Sequence, residues 1–170
     1  MTPRDIILIG APVDSGKRRR GCLMGPDAFR VAGLAEALSS LGHRVRDLGN
    51  LAPDAVDLAP DPRLFALPET VGWTAALMRA GREAAAQGMP VFLGGDHALS
   101  MGSVAGVAAH AAEAGRPLFL LWLDAHTDFH TPATSESGNL HGVSVAYLAG
   151  REGFGAFPPM PAPLPMKNVC

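Results

Sequence analysis

Residues 118–128 read Leu-Phe-Leu-Leu-Trp-Leu-Asp-Ala-His-Thr-Asp, a run of six apolar residues that stops at a carboxylate. A short and almost wholly apolar run is typical of a parallel strand that is buried on both faces. Residues 118–123 are therefore predicted to form a strand inside a sheet. Because open parallel sheets bind ligands beyond the carboxyl ends of their strands, the polar residues after this run mark the expected functional site.

The rest of the chain alternates short apolar runs with longer stretches of helical periodicity. The predicted elements are strands at residues 5–10, 45–48 and 91–93 and helices at residues 28–41, 69–87, 98–114 and 143–149. Residues 52–68, rich in Pro and Asp, are predicted to form an irregular surface connection, and residues 167–170 resemble the start of a fifth strand. This alternation predicts an open parallel α/β sheet, with residues 1–170 forming one domain.

Composition excludes several classes of protein. Of the 170 residues, 48% are hydrophobic, and the formal net charge is -2, which indicates neither disorder nor a nucleic-acid partner. The apolar runs are too short to cross a membrane, and the N-terminus lacks a basic leader, so a cytoplasmic protein is expected. The basic residues 17–20 are interpreted as a solvated loop near the site. Cys22 and Cys170 are interpreted as reduced thiols.

The polar residues after two predicted strands have the chemistry of a metal site. Asp124, His126 and Asp128 are spaced by two, so an extended backbone would project all three side chains to one side. His97 follows the preceding strand and the pair Gly94-Gly95, and it is a candidate fourth ligand. Two carboxylates with imidazole nitrogens suit a divalent ion such as Mn²⁺ or Zn²⁺.

Three blocks of sequence resemble the arginase family in their order and separation. They are Gly-Gly-Asp-His at 94–97, Asp-Ala-His-Thr-Asp at 124–128 and Ser-Gly-Asn-Leu-His-Gly at 137–142. Residues 10–14 and Gly25-Pro26 also resemble the opening block of that family. The resemblance implies a three-layer α/β/α parallel sheet of the arginase type. The chain would be its N-terminal half, truncated at the C-terminal end, because the family's later Asp-x-Asp metal motif is absent.

The resemblance also implies roles for individual residues. Asp124 would bridge two Mn²⁺ ions, with His97 and Asp128 binding one ion and His126 the other. The metal-held hydroxide would attack the guanidinium carbon of L-arginine and release L-ornithine and urea. His141, as proton shuttle, and Asp128 are the catalytic candidates. The substrate-binding candidates are His130, Ser137 and Asn139.

Alternatives remain open at this stage. His130 stands where arginases usually have Asn, so agmatine or another guanidino compound remains a candidate substrate. A non-catalytic product that binds metal or associates with other subunits is a third hypothesis.

The chain alone is expected to bind at most one metal ion tightly and to be inactive. The family resemblance implies a homo-oligomer, a trimer or hexamer, and places further strands between the third and fourth strands present here. Exposed sheet edges and poor solubility are therefore expected of the isolated chain.

Overall fold

A parallel sheet lies at the centre of the computed structural model, which describes residues 2–170. Its strands are β1 (Asp5–Ala11), β2 (Arg44–Asn50) and β3 (Met89–Gly94), in the order β2-β1-β3. Ile6 of β1 lies opposite Val45 on one side and Met89 on the other. The helices are α1 (Gly25–Val31), α2 (Leu34–Ser40), α3 (Leu67–Ala85), α4 (Leu99–Glu113) and α5 (Ser144–Leu148).

Strand β1 shows why helices cover both faces of the sheet. Its successive side chains point to opposite faces, and the aliphatic residues 6–9 are all buried. Ile6 and Leu8 pack toward the apolar residues of α2, whereas Ile7 and Ile9 pack against Ala84 of α3. The predicted three-layer parallel α/β architecture is confirmed.

The helix predicted over residues 28–41 is wrong as a single element. Gly33 adopts a left-handed conformation, with φ of 81°, between the end of α1 and the start of α2. Gly takes this conformation without the steric cost that a Cβ would impose, so the chain turns there and a second short helix begins. The other three predicted helices are confirmed to within two residues, and residues 52–66 form the predicted irregular connection.

The prediction of a buried strand at residues 118–123 is also wrong. Phe119, Leu121 and Leu123 are 69%, 65% and 85% exposed, while Leu118 and Leu120 are half-buried against the main apolar cluster. The segment makes a single parallel bridge, Leu120 to Val169, so residues 167–170 lie beside it without forming a full strand. Burial on both faces needs neighbouring strands. Within residues 2–170, β3 is an edge strand that pairs with β1 alone, so open sheet edges are present as expected.

Candidate metal centre

The turn after β3 carries the first candidate ligand. A Cβ on Gly95 would lie 2.4 Å from the backbone nitrogen of Val13, so the turn packs directly on the backbone that follows β1. Asp96 donates its backbone N–H to the Val13 carbonyl at 2.8 Å. Its buried carboxylate accepts hydrogen bonds from the backbone N–H groups of Gly16, at 2.8 Å, and Ala98, at 2.9 Å. These contacts hold the residue on the N-terminal side of His97 in place.

Asp96 is itself electrostatically perturbed. Burial raises the pKa of its carboxyl, and the two backbone hydrogen bonds offset only part of that rise. The residue was not among the predicted site residues, although its position beside His97 at a strand end was a usable signal.

The second ligand segment is not extended, contrary to the assumption made from the spacing of its residues. The backbone bends over residues 124–126, and Asp128 has a positive φ of 45°. Asp124 Oδ1 accepts a hydrogen bond from the backbone N–H of His126 at 2.8 Å, a local side-chain contact that competes with extended structure. This bent backbone brings the side chains of Asp124 and Asp128 together, whereas the prediction had relied on the alternating side-chain directions of an extended strand.

His97, Asp124 and Asp128 converge on one point. Each offers a ligand atom, and the three atoms lie within 4.8 Å of one another. His97 Nδ1 is 2.7 Å from Asp124 Oδ2 and 3.2 Å from Asp128 Oδ2. An imidazole nitrogen and two carboxylate oxygens at this spacing match the ligand chemistry of a divalent cation such as Mn²⁺.

The two carboxylates lie in different environments. The hydrogen bond from the His126 backbone lowers the pKa of Asp124, which keeps this carboxylate ionised. Burial raises the pKa of Asp128, whose side chain is 8% exposed, and the charge of Asp124 adds to that rise. A bound cation would favour the ionised form of Asp128 and offset both effects.

His126 stands apart from this three-residue cluster. Its side chain is 83% exposed, and its Nδ1 lies 3.2 Å from Asp124 Oδ1, whereas His97 contacts Asp124 Oδ2. The structure therefore gathers three of the four predicted ligands into one site and places the fourth beside Asp124 Oδ1.

A cavity of about 790 Å³ opens beside these side chains. Its wall is formed by Lys17, Asp96, His97, Asp124, His126, Thr127, Asp128, His130, Ser135, Glu136, Ser137, Asn139, His141 and Gly142. All the residues predicted to bind substrate or to act in catalysis are thus placed around one cavity. The sequence interpretation missed Ser135 and Glu136, although both lie in the polar loop that carries the predicted residues.

Backbone contacts fix the loop that carries the substrate-binding candidates. His141 donates its backbone N–H to the Gly16 carbonyl at 3.0 Å. Asn139 Oδ1 accepts the backbone N–H of Arg18 at 3.1 Å, and Ser137 Oγ accepts that of Asn139 at 3.3 Å. His130 Nδ1 lies 3.5 Å from Thr134 Oγ1. The loop 137–141 therefore rests on residues 16–18.

The basic run, residues 17–20, borders this cavity through Lys17 and is otherwise exposed, in agreement with the predicted solvated loop near the site. Residues 18–20 are exposed, while Lys17 reaches the cavity wall and pairs with Asp14 at 3.3 Å. The placement of Lys17 in the wall was not anticipated.

A family model described as the arginase family matches residues 4–157. The chain belongs to the arginase family. It is 52% identical over 166 residues to an arginase of Brucella melitensis, which covers 96% of this chain and 54% of that relative. It is 51% identical over 165 residues to an arginase of Agrobacterium fabrum, covering 95% of this chain and 51% of the relative.

Solved structures agree with the arginase assignment. The structure of an arginase from Bacillus caldovelox superposes with a TM-score of 0.83 at 35% identity, and the match covers 99% of this chain and 56% of that one. The chain thus spans about half the length of the arginases it matches and has an incomplete arginase fold. No helix within residues 2–170 combines the length and apolarity that crossing a membrane requires.

Proposed function

We propose that this chain supplies part of the metal-binding site of an arginase-type centre that hydrolyses L-arginine to L-ornithine and urea. The observation that carries the proposal is the convergence of His97, Asp124 and Asp128 on one point at the edge of a polar cavity. The chain's membership of the arginase family indicates the class of reaction, because curated relatives at 51% and 52% identity are named arginases.

The donor set fits Mn²⁺. His97 Nδ1 and the carboxylates of Asp124 and Asp128 would hold one ion, and His126, beside the second oxygen of Asp124, would contribute to a second ion. When bound, manganese supplies a Lewis acid that lowers the pKa of water and so provides the nucleophile at neutral pH.

The remaining residues bind the substrate and move protons. The guanidinium carbon is a poor electrophile, so the substrate must be held firmly with that carbon beside the metal site. His141 lies in the cavity wall and is anchored through its backbone to Gly16. An imidazole can both accept and donate a proton, and we assign His141 the transfer of a proton to the departing amine.

The loop that holds Ser137 and Asn139 favours arginine over agmatine. A hydroxyl and an amide at the cavity wall provide hydrogen-bond donors for an α-carboxylate, which agmatine lacks. His130, in the same wall, would donate one further hydrogen bond from its ring. Binding of arginine, agmatine and guanidinobutyrate to the Mn²⁺-loaded chain, measured by calorimetry, tests this preference. Arginine is expected to bind tightest, and equal affinity for agmatine would contradict the assignment of the loop.

The chain alone is expected to bind one Mn²⁺ tightly and to release no urea. Two Mn²⁺ carry four positive charges, whereas the cluster supplies two carboxylates, so a second close ion would be strongly repelled. Calorimetric titration with Mn²⁺ measures the stoichiometry, and the matched variants His97→Ala and His43→Ala separate the site from adventitious binding. Two tight ions per chain would refute the charge argument. Binding that His97→Ala leaves unchanged would overturn the proposed site.

A further inference from the structure

An indole ring lies flat against the candidate ligand His97. The ring centroids of His97 and Trp122 are 4.3 Å apart, with 11° between the ring planes. Trp122 belongs to the segment that leads into Asp124, and its backbone N–H donates to the Cys170 carbonyl at 2.7 Å. The two rings therefore connect the ligand after β3 with the segment that supplies the two carboxylates.

The imidazole has little else to orient it. Across residues 2–170, its polar contacts all involve Nδ1, which faces Asp124 and Asp128. A metal-binding histidine is usually held by a hydrogen bond from its other ring nitrogen to a carboxylate or carbonyl. Here Nε2 lacks such a protein partner among the described residues. Apart from these Nδ1 contacts, the face of His97 that packs on Trp122 limits rotation of the ring.

The indole of Trp122 carries a buried polar group. Its Nε1 is buried and finds no hydrogen-bond partner in the part of the chain that the structure describes. A buried N–H without a partner is unfavourable, so Trp122 is a costly residue if its only role is to fill space. The indole provides a flat aromatic face that stacks on the imidazole, and a smaller aliphatic side chain at this position would lack that face.

We infer that Trp122 is a positioning residue for the metal ligand His97: its stacked face holds the imidazole with Nδ1 directed at the carboxylates before the metal arrives. The inference rests on the metal site of the proposed function. It assigns to Trp122 an effect on metal affinity through His97, without direct contact with the ion.

The first test compares two substitutions at the same position. Trp122→Phe keeps an aromatic face and removes the unpartnered N–H, whereas Trp122→Leu removes the face. The dissociation constant for Mn²⁺ is measured from the electron paramagnetic resonance signal of the free ion. Trp122→Leu is expected to weaken binding about three- to tenfold, or about 0.7 to 1.4 kcal/mol, and Trp122→Phe to stay within about twofold of the wild type.

The second test uses fluorescence and does not depend on the Leu variant folding. The chain has two tryptophans, so Trp73→Phe leaves Trp122 as the sole indole. Paramagnetic Mn²⁺ bound to His97 is expected to quench that indole at the same concentrations that saturate the resonance titration. Trp122→Phe is the matched control, because its remaining indole, Trp73, is buried in α3 and should not respond.

The outcomes separate this inference from the proposed function. If His97→Ala abolishes Mn²⁺ binding but Trp122→Leu leaves it unchanged, the positioning role of Trp122 alone is overturned. The same holds if bound Mn²⁺ does not quench the fluorescence of Trp73→Phe. A wild-type chain that binds no Mn²⁺ would overturn the proposed site and the inference together. Equal weakening by Phe and Leu would also refute the role of the aromatic face.

Discussion

Gly95→Ala provides a sharp test of how the fold positions the site. A Cβ at this position would lie 2.4 Å from the Val13 nitrogen, 2.5 Å from its carbonyl oxygen and 2.6 Å from the Ala11 carbonyl oxygen. All three atoms belong to the backbone, so no side-chain rotation relieves the clash. The turn that carries His97 must therefore move away from the end of β1.

The expected cost can be worked from these contacts. Overpacking in a close-packed region typically costs about 1 to 3 kcal/mol, and a clash with three backbone atoms belongs at the upper end of that range. Separation of the turn also breaks the 2.8 Å hydrogen bond from the Asp96 N–H to Val13, which adds about 1 kcal/mol. We expect Gly95→Ala to lower the free energy of unfolding by about 3 to 4 kcal/mol and to weaken Mn²⁺ binding, because His97 moves with the turn.

Urea unfolding followed by circular dichroism measures the stability change, and Mn²⁺ titration measures the effect on the site. Gly155→Ala is the matched control, because its Cβ would meet no atom within 4 Å and its φ is not positive. If Gly95→Ala unfolds within about 1 kcal/mol of the wild type, or Gly155→Ala is equally destabilised, the proposed close approach is wrong.

Two further predictions concern charge. Asn tolerates the positive φ of Asp128, 45°, so Asp128→Asn should keep the fold. Mn²⁺ at about 100 times its dissociation constant should stabilise the wild type by roughly 2.7 kcal/mol, and the Asp128→Asn variant should lose most of that stabilisation. If Mn²⁺ stabilises both proteins equally in thermal or urea unfolding, Asp128 is not a ligand. The Arg30 guanidinium, which hydrogen-bonds Asp47, lowers the pKa of that carboxyl below its ordinary value of 3.8. This pair therefore contributes stability above about pH 3.8 that is lost as the pH falls further, so the stability difference between wild type and Asp47→Asn should shrink on acidification below that value. A difference that grows in acid would refute this.

The spacing of apolar residues predicted correctly those helices and strands whose burial follows from the residues within the element itself. Strand β1 contains four consecutive large aliphatic residues, so it is apolar on both faces whichever way the strand turns. Helices α3 and α4 have apolar residues at helical spacing over several turns, and they pack closely on each other. In each case the signal lies within the element, and the structure confirms it to within two residues.

The failures have one non-local cause and two local ones. Residues 118–123 are as apolar as β1, yet burial on both faces requires strands on both sides, and no property of Leu121 or Leu123 reveals whether they exist. The break at Gly33 had a local signal, but Gly in a helix interior costs only about 1 kcal/mol relative to Ala, so the apolar pattern outweighed it. The turn at Asp124 depends on one side-chain hydrogen bond that spacing alone did not predict.

Residues 118–123 form no strand, yet the metal cluster forms, because helix α5 connects both ligand segments. The Ser144 hydroxyl donates to the His97 carbonyl at 3.3 Å, while the Asp128 carbonyl accepts the backbone N–H of Val145 at 3.0 Å. The first two residues of one buried helix thus contact the residue after β3 and the last carboxylate of the second segment. These contacts replace strand pairing as the link between the segments. The convergence of His97 and Asp128 therefore depends on the packing of α5 rather than on the regularity of residues 118–123.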